Sequence, residues 1–228
     1  MTIRAVLGLA RGIIARVIHG KNSLMNSKHA DTAKLVWHPY SVTREQREKR
    51  NKHRGCIVWL TGLPGSGKST IAHVTEKKLH DLGFQTVVLD GDNIRHGLCA
   101  DLGFSVSDRN ENIRRVGEVA KLFLETGTVV LVALVSPVRG ARDSLRQSLS
   151  DDDFIEVYCN CPLAVCKKRD PKGMYAKAES GMIPEFTGVS SPYEVPLEPT
   201  LILDTSSEGP EESANRLTQF LLKHVISV

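Results

Sequence analysis

The sequence predicts an α/β fold in which a five-stranded parallel sheet lies between two layers of helices. The first observation is a set of five short apolar runs that are rich in β-branched residues and end in polar or turn residues, as buried strands of a parallel sheet do. The second is that segments with helical periodicity separate these runs. Strands that alternate with helices form a parallel sheet covered on both faces, and such sheets bind ligands at the carboxyl ends of their strands.

The elements can be assigned in order along the chain. The strand candidates are CIVWL (56–60), TVVLDGD (86–92), TVVLVALVSP (128–137), FIEVYCN (154–160) and TLILDTS (200–206). The helix candidates are residues 69–82, 109–126, 139–149, 162–180 and 210–226. We expect residues 55–228 to form one domain, because no repeat or low-complexity segment interrupts the pattern and the chain is long enough for one sizeable core.

The charge distribution separates this domain from the segment before it. Residues 1–54 contain 12 Lys or Arg against 3 Asp or Glu, whereas residues 55–228 contain 18 against 23. A nucleic-acid-binding domain usually carries its basic surface on the fold itself, so we expect no nucleic-acid partner. The five cysteines are odd in number and scattered, which suits a reducing compartment. Cys159, Cys161 and Cys166 lack a matching second pair of zinc ligands, so we expect buried free thiols.

Two basic segments precede the domain. Residues 1–33 place apolar side chains on one side of a helix and arginines on the other, and the first acidic residue is Asp31. This amphipathic segment is an upstream extension without a role in the fold or a surface helix, with a cleaved organellar presequence as the alternative. Its arginines argue against a transmembrane segment. Residues 34–54 are predicted to form a basic lead-in helix. We therefore expect a cytoplasmic protein, or an organellar one if residues 1–33 are a presequence.

The stretch GLPGSGKST (62–70) predicts a nucleotide-binding loop. It matches glycine, four residues and then Gly-Lys-Ser/Thr, and it lies between the first strand and the first helix of the domain, as a P-loop does. Glycines at these positions let backbone N–H groups and the helix N-terminus face phosphate oxygens. Lys68 would reach the β- and γ-phosphates of ATP, and the Ser69 hydroxyl would bind Mg²⁺. The ATP-binding set is Gly62, Leu63, Pro64, Gly65, Ser66, Gly67, Lys68, Ser69 and Thr70.

The carboxyl ends of the other strands narrow the class of P-loop protein. No Asn/Thr-Lys-x-Asp segment follows the P-loop, as a GTPase would need, and VVLVAL leads into VSP rather than the Asp-Glu of an ATPase motor. The second strand ends in two carboxylates, Asp90 and Asp92, near the expected γ-phosphate. This pattern fits a small-molecule kinase in which Asp90 lies close to Mg²⁺ and Asp92 accepts the proton of the attacking hydroxyl. The alternative for Asp92 is that it only caps the following turn or helix.

Five motifs that follow the P-loop closely resemble adenylylsulfate kinases. In chain order they are DGDNIRHGL (90–98), LGFSVSDRNENIRRVGEVAKLF (102–123), VSPVRGARD (135–143), RDPKGMYAKA (169–178) and FTGVSSPYEVP (186–196). The resemblance extends from about VWHPYSVT (36–43) to the C-terminus. Pro64 departs from the serine that is common in that family, but it leaves the phosphate-facing glycines, lysine and serine in place.

The resemblance implies a reaction and an assembly. The γ-phosphate of ATP would pass to the 3′-hydroxyl of adenosine 5′-phosphosulfate (APS), with Mg²⁺ as cofactor, to give ADP and 3′-phosphoadenosine 5′-phosphosulfate (PAPS). The family suggests a homodimer. Two alternatives remain open: a kinase of another small acceptor on the same scaffold, and a non-catalytic domain that binds the nucleotide as an effector. The intact Lys68, Ser69 and Asp92 argue against the second alternative.

An anionic acceptor on an acidic domain needs local cations. Arg95 follows the two aspartates, and Arg109, Asn112 and Arg115 recur every three residues along one side of a helix. Guanidinium groups suit phosphosulfate because they can bind an oxyanion with two parallel hydrogen bonds. We therefore expect Arg95, Arg109 and Asn112 to bind APS, and Arg115 with less support.

Two details of this helix bear on the acceptor residues. DRNE (108–111) has the spacing of a capping box, which would start the helix there and place Arg109 in the first turn. Arg115 has a second possible role, in surface ion pairs with Glu111 or Glu118.

The resemblance also assigns aromatic residues and a mobile lid. Phe104 and Phe186 would sandwich the adenine of APS, although core packing is the alternative for each. RDPKGMYAKA (169–178) would form a lid whose Arg169 reaches ATP and whose Lys172 reaches APS. A closing basic segment would exclude water and stabilise charge on the transferring group. Lys177 would either extend this cluster or lie on a helix surface.

Ser136 follows the third strand and has two possible roles. The resemblance to adenylylsulfate kinases suggests that Ser136 forms a phosphoserine intermediate. However, no His or Lys adjacent in sequence would activate the hydroxyl, and direct transfer between two bound substrates needs no such intermediate. We expect Ser136 to position the acceptor, and keep the covalent role as the alternative.

Overall fold

The computed structural model describes residue 36 and residues 38–224, without the side chain of residue 224. The chain divides into two units, residues 1–41 and 42–228. Within the first unit only Val36 and residues 38–41 are described, and they are exposed. The extension predicted over residues 1–33 therefore lies outside the described residues.

The second unit consists of five strands and the helices around them. The strands are β1 (Cys56–Thr61), β2 (Thr86–Asp90), β3 (Val129–Ala133), β4 (Phe154–Asn160) and β5 (Leu201–Asp204). The helices are α1 (Arg44–Asn51), α2 (Lys68–Asp81), α3 (Gly91–Ile94), α4 (Val106–Leu124), α5 (Arg139–Gln147), α6 (Leu163–Arg169), α7 (Met174–Glu179) and α8 (Pro210–His224). A short 3₁₀ helix, Asp151–Asp153, precedes β4.

The five strands form one parallel sheet in the order β2-β3-β1-β4-β5. The predicted α/β class and the five parallel strands are confirmed. β1 lies at the centre, so all six of its residues are buried. Because parallel strands end at the same edge, the loops after β1, β2 and β3 meet at one end of the sheet.

Side chains that alternate along β1 build a hydrophobic core on each face of the sheet. Ile57 and Trp59 pack against α4 and α5, whereas Val58 and Leu60 pack against α2 and α8. This arrangement gives the three layers that the sequence predicted, and it fixes the backbone from which the site loops extend.

Two predicted helix boundaries are wrong. The helix predicted over 162–180 is two helices, because the chain leaves helical geometry at Asp170 and returns through Gly173, whose φ is 63°. Pro171 between them has no backbone N–H to continue a helix. The capping box predicted at 108–111 does not start α4, since the N-cap is Ser105, whose Oγ accepts from Asp108 N at 3.1 Å.

The basic lead-in helix predicted over 34–54 is shorter than expected, because among the described residues of that segment only α1 is helical, between the N-cap Thr43 and the C-cap Lys52. Helix α1 is anchored at the amino ends of the strands. The Arg44 guanidinium donates to both carboxylate oxygens of Asp153, at 2.9 and 2.6 Å, to Glu48 at 2.8 Å and to the Gly55 carbonyl at 3.0 Å. All five cysteines are free and buried, which confirms the prediction made for Cys159, Cys161 and Cys166. No helix in the described part of the chain has the length and apolar character needed to span a membrane.

Candidate active site

A cleft of about 890 Å³ opens at the carboxyl ends of β1, β2 and β3. It collects most of the predicted site residues from six separate segments. The predicted residues that line it are Pro64, Gly65, Gly67, Lys68, Ser69, Thr70, Asp90, Asp92, Arg95, Phe104, Arg109, Asn112, Ser136, Arg169, Lys172 and Phe186. Gly62, Leu63 and Ser66 do not line it but belong to the same loop.

The P-loop has the backbone that a phosphate cradle requires. Gly62, Gly65 and Gly67 have φ values of 151°, 75° and 90°, which L side chains rarely adopt. A Cβ on Gly62 would lie 2.7 Å from the Cys159 carbonyl oxygen, so no side chain fits there. α2 begins at Lys68 without a side-chain cap, and its N-terminal N–H groups remain for an anion.

Lys68 is buried at the floor of the cleft. Its Nζ donates to the carbonyl oxygens of Gly62 and Leu63 at 3.0 and 2.8 Å. Burial lowers the pKa of Lys68 to about 8, and the carboxylates of Asp90 and Asp92 act in the opposite direction. The carbonyl groups of the P-loop thus hold the ammonium group of Lys68 in place. A bound phosphate would replace the favourable interactions with water that this ammonium group loses on burial.

The two carboxylates at the end of β2 differ in environment. Asp90 is the N-cap of α3: its Oδ1 accepts from Asp92 N at 3.0 Å, while its buried Oδ2 has no hydrogen-bond partner. An unpartnered buried carboxylate oxygen is costly unless a cation or donor binds it, so Asp90 together with Ser69 fits the Mg²⁺ site that the sequence predicted. The capping role considered for Asp92 belongs to Asp90. Asp92 projects its carboxylate into the cleft and pairs with Lys172.

One end of the cleft is cationic and aromatic. The Arg95 and Arg109 guanidinium carbons lie 4.4 and 5.7 Å from the centre of the Phe104 ring, which is 48% exposed. Arg109 also donates to the carbonyl oxygens of Phe104 and Glu185, at 2.8 and 2.7 Å. Asn112 is buried behind them, and its Nδ2 has no partner. This end can hold a flat ring and an oxyanion together.

Arg115 does not line the cleft. Its guanidinium pairs with Glu111 at 2.9 Å and with Asp101 at 2.6 Å. The ion-pair alternative with Glu111 is therefore what the structure shows for Arg115, and the acceptor role is not supported. Lys177 also lies outside the cleft lining.

The segment predicted to form a lid contributes residues 169–172, Met174 and Tyr175 to the lining of the cleft. The Asp170 carboxylate accepts from the backbone N–H groups of Tyr175 and Ala176 at 3.1 Å, which starts α7. The Tyr175 hydroxyl donates to the Pro64 carbonyl at 2.9 Å and thereby links the lid to the P-loop. The Phe186 ring meets the edge of Tyr175 with centroids 5.1 Å apart. Phe186 is thus both packed and part of the cleft wall.

Arg169 lies at the far side of the P-loop. Its Nη2 donates to the Thr205 carbonyl at 2.6 Å, and Thr205, Glu208 and Ser213 line the cleft beside it. This wall, formed by the segment after β5 and the first turn of α8, was not identified in the sequence.

The Ser136 hydroxyl belongs to a buried chain of hydrogen bonds. It accepts from Trp59 Nε1 at 3.1 Å and donates to Thr61 Oγ1 at 3.0 Å, and the Thr61 hydroxyl donates to the Val135 carbonyl at 2.8 Å. Burial raises the pKa of Tyr193, whose hydroxyl lies 3.0 Å from Thr61 Oγ1 and donates to it. Trp59 and Tyr193 were not assigned a role from the sequence, although Tyr193 lies in the motif FTGVSSPYEVP and Thr61 directly precedes the P-loop.

Comparisons with known proteins agree with this geometry. The adenylylsulphate kinase family profile matches residues 54–204. A probable adenylyl-sulfate kinase of Halalkalibacterium halodurans is 57% identical over 187 residues, which cover 82% of this chain and 93% of the relative. An adenylyl-sulfate kinase of Bacillus velezensis is 54% identical over 187 residues, covering 82% of this chain and 95% of the relative.

A solved structure is also similar. The Mycobacterium tuberculosis APS kinase in complex with AMPPNP and APS has 48% identity and a TM-score of 0.70, covering 74% of this chain and 98% of that one. With two thirds of its length matched by one family profile and relatives above 50% identity, the chain belongs to the adenylylsulfate kinase family.

Proposed function

We propose that the protein transfers the γ-phosphate of ATP to the 3′-hydroxyl of APS, which yields ADP and PAPS. The observation that carries this proposal is one continuous cleft with a phosphate cradle at one end, a cationic and aromatic pocket at the other and two carboxylates between them. The complex of the M. tuberculosis relative with AMPPNP and APS supports a donor site and an acceptor site in the same fold.

The donor half would bind ATP through the P-loop. Backbone N–H groups of residues 62–70 would surround the β- and γ-phosphates, and Lys68 would leave the two loop carbonyls to bind the γ-phosphate. Bound ATP would extend past Arg169 toward the wall formed by Thr205 and Glu208. We assign ATP binding to these residues.

The residues present fit Mg²⁺. Ser69 and the unpartnered Oδ2 of Asp90 would hold the ion with its water ligands. When bound, Mg²⁺ would neutralise charge on the β- and γ-phosphates.

The acceptor half would hold APS by its ring and its phosphosulfate. Phe104 and Phe186 would contact the adenine, while Arg95, Arg109, Asn112 and Lys172 would supply hydrogen bonds and positive charge. Lys172 is paired with Asp92 in this structure. An arriving phosphosulfate would draw Lys172 away and leave the Asp92 carboxylate free to accept a proton.

The transfer itself would be direct. The 3′-oxygen attacks the γ-phosphorus, the bond to the β-γ bridging oxygen breaks, and the proton of the 3′-hydroxyl passes to Asp92. The hydroxyl of Ser136 is engaged with Trp59 and Thr61, which supports a positioning role over a phosphoserine intermediate.

Two further features are proposed from the family. We expect a homodimer, and we propose the cytoplasm as its compartment because the relatives described above are bacterial enzymes.

An acceptor panel tests the proposed function. Initial rates of ADP formation would be measured with APS, gluconate, shikimate and nucleoside monophosphates at saturating ATP. We expect turnover with APS alone. Turnover with another acceptor and not with APS would assign the chain to a different kinase activity, and ATP or PAPS binding without any turnover would favour the non-catalytic alternative. The Lys68→Ala variant is the control for contaminating kinases.

A further inference from the structure

The loop that carries Ser136 is held in a strained conformation. Ser136 has a φ of 40°, in the left-handed region that non-glycine residues rarely occupy. Such a backbone persists only where surrounding contacts stabilise it. The chain of hydroxyl groups through Thr61 holds the side chain, so a second set of contacts must hold the backbone.

Arg142 supplies those contacts. It is 1% exposed, and each of its three guanidinium nitrogens donates to a different segment: Nε to Glu156 Oε1 at 2.7 Å, Nη1 to the Ser136 carbonyl at 2.6 Å and Nη2 to the Glu194 carbonyl at 2.9 Å. A buried cation requires a paired anion, and Glu156, itself buried on β4, provides it. The planar guanidinium thus fixes β4, the loop after β3 and residue 194 in one arrangement.

Residue 194 belongs to a segment that leads back to the acceptor pocket. Glu194 N donates to the Pro137 carbonyl at 2.9 Å, and its side chain accepts from Arg139 N at 2.6 Å. The chain from Phe186 to 194 begins with a compact turn in which the N–H groups of Ser190 and Ser191 donate to the Phe186 carbonyl at 3.0 and 3.1 Å. A shift at residue 194 would therefore move Phe186, which lines the acceptor pocket.

We propose that Arg142, anchored by Glu156, is a positioning residue for the acceptor half of the cleft. It sets the backbone of Ser136 on one side of the pocket and the segment that carries Phe186 on the other, without contacting substrate. The P-loop lies on β1 and α2 and takes no hydrogen bond from this guanidinium. Loss of Arg142 should therefore affect acceptor use more than ATP use. This inference rests on the proposed function.

The experiment compares steady-state kinetics of four variants with the wild type. Arg142→Met removes all three hydrogen bonds. Arg142→Lys keeps the positive charge but lacks the planar guanidinium that donates in three directions. Glu156→Gln keeps a side-chain oxygen that can accept from Arg142 but removes the negative charge that pairs with it. Arg44→Met is the matched control, because Arg44 also bridges a carboxylate and a carbonyl but at the amino ends of the strands. KM for APS, KM for ATP, kcat and Tm would be measured for each.

The expected result is selective. Arg142→Met should raise KM for APS by about ten- to a hundredfold while KM for ATP changes by less than about twofold, since misplacement of a pocket wall has effects of this order. Arg142→Lys and Glu156→Gln should show the same selectivity with smaller changes. Arg44→Met should lower Tm and leave both KM values near those of the wild type.

Two outcomes would overturn the inference: equal changes of both KM values in the Arg142 variants, or a lower Tm with both KM values unchanged. If Arg142→Met does not fold, Arg142→Lys and Glu156→Gln decide the question by the same criterion. Absence of APS turnover in the wild type would instead contradict the proposed function itself.

Discussion

Replacing Phe104 with alanine should weaken APS binding and leave ATP binding nearly unchanged. The Phe104 ring is 48% exposed and lies outside the two cores of the sheet, so its loss should have little effect on the stability of the fold. Removing the stacking face should cost about 1–3 kcal/mol of binding free energy. That loss corresponds to about a 5- to 150-fold increase in the Kd of APS.

The effect should fall in the upper part of this range. Arg95 and Arg109 both lie against the ring, at 4.4 and 5.7 Å, so its removal also takes away one of the contacts that position these two cations for the phosphosulfate. Each exposed cation–π contact contributes about 0.5–1 kcal/mol. The alanine variant would therefore lose both the stacking surface and part of the preorganisation of its cations.

Isothermal titration with APS, and separately with ATP, measures the two affinities. Phe104→Tyr is the matched control, because it keeps the aromatic face and should bind APS within about threefold of the wild type. If Phe104→Ala bound APS as tightly as the wild type, or lost ATP affinity instead, the division of the cleft into donor and acceptor halves would be wrong.

Four other predictions concern the remaining site residues. Lys68→Ala should abolish transfer and leave the fold intact, because it removes a charge aimed at the γ-phosphate; wild-type turnover would contradict the P-loop assignment. Arg109→Ala should raise the Kd of APS by about 5- to 150-fold through loss of charged hydrogen bonds, as titration would reveal. Ser136→Ala should retain measurable turnover, and complete loss together with a kinetically competent phosphoserine in the wild type would defeat direct transfer. Burial lowers the pKa of Lys68 to about 8, so the affinity of the free enzyme for ATP should fall as the pH rises through that value. The Lys68→Met variant, which has no such charge, should bind ATP independently of pH over this range. An equally flat dependence of ATP affinity on pH in the wild type would refute the prediction.

The lowered pKa of Lys68 also makes the stability of the fold depend on pH. Its pKa is lowered on folding from 10.5 to about 8, so the unfolded chain binds more protons between these values. The contribution of Lys68 to the free energy of unfolding should therefore rise with pH across that interval. Denaturant titrations at several pH values, with Lys68→Met as the control, would measure it.

The sequence was informative where function depends on residues close together in the chain. The P-loop lies within nine residues, and the carboxylates Asp90 and Asp92 end a strand whose apolar character is plain. The order of the strands followed from apolar runs rich in β-branched residues, and that of most helices between them from helical periodicity. The aromatic and lid residues came from resemblance to a family, because an exposed phenylalanine such as Phe104 carries no local signal of its role.

The features that sequence analysis missed depend on contacts between distant segments. The Ser136 hydroxyl meets Trp59 and Thr61, which are more than 70 residues away along the chain. Arg142 lies in a helix with charged and polar neighbours, RGARDSLRQ, and only the packing of α5 on the sheet shows that it is buried. The helix boundary at Ser105 was missed because Ser105 and Asp108 are both favourable caps. In the structure Ser105 is the N-cap, and Asp108 lies in the first turn, where its Oδ2 accepts from Ser105 Oγ at 2.7 Å.

Phosphoryl transfer to APS is tested most directly by following the phosphate itself. Incubation with [γ-³²P]ATP, Mg²⁺ and APS should place the label in a product that migrates as PAPS and loses the label to a 3′-nucleotidase. The label should appear in step with ADP. Label released as inorganic phosphate, retained on the protein as the final product, or attached at a position that the 3′-nucleotidase does not cleave would contradict direct transfer to the 3′-hydroxyl of APS.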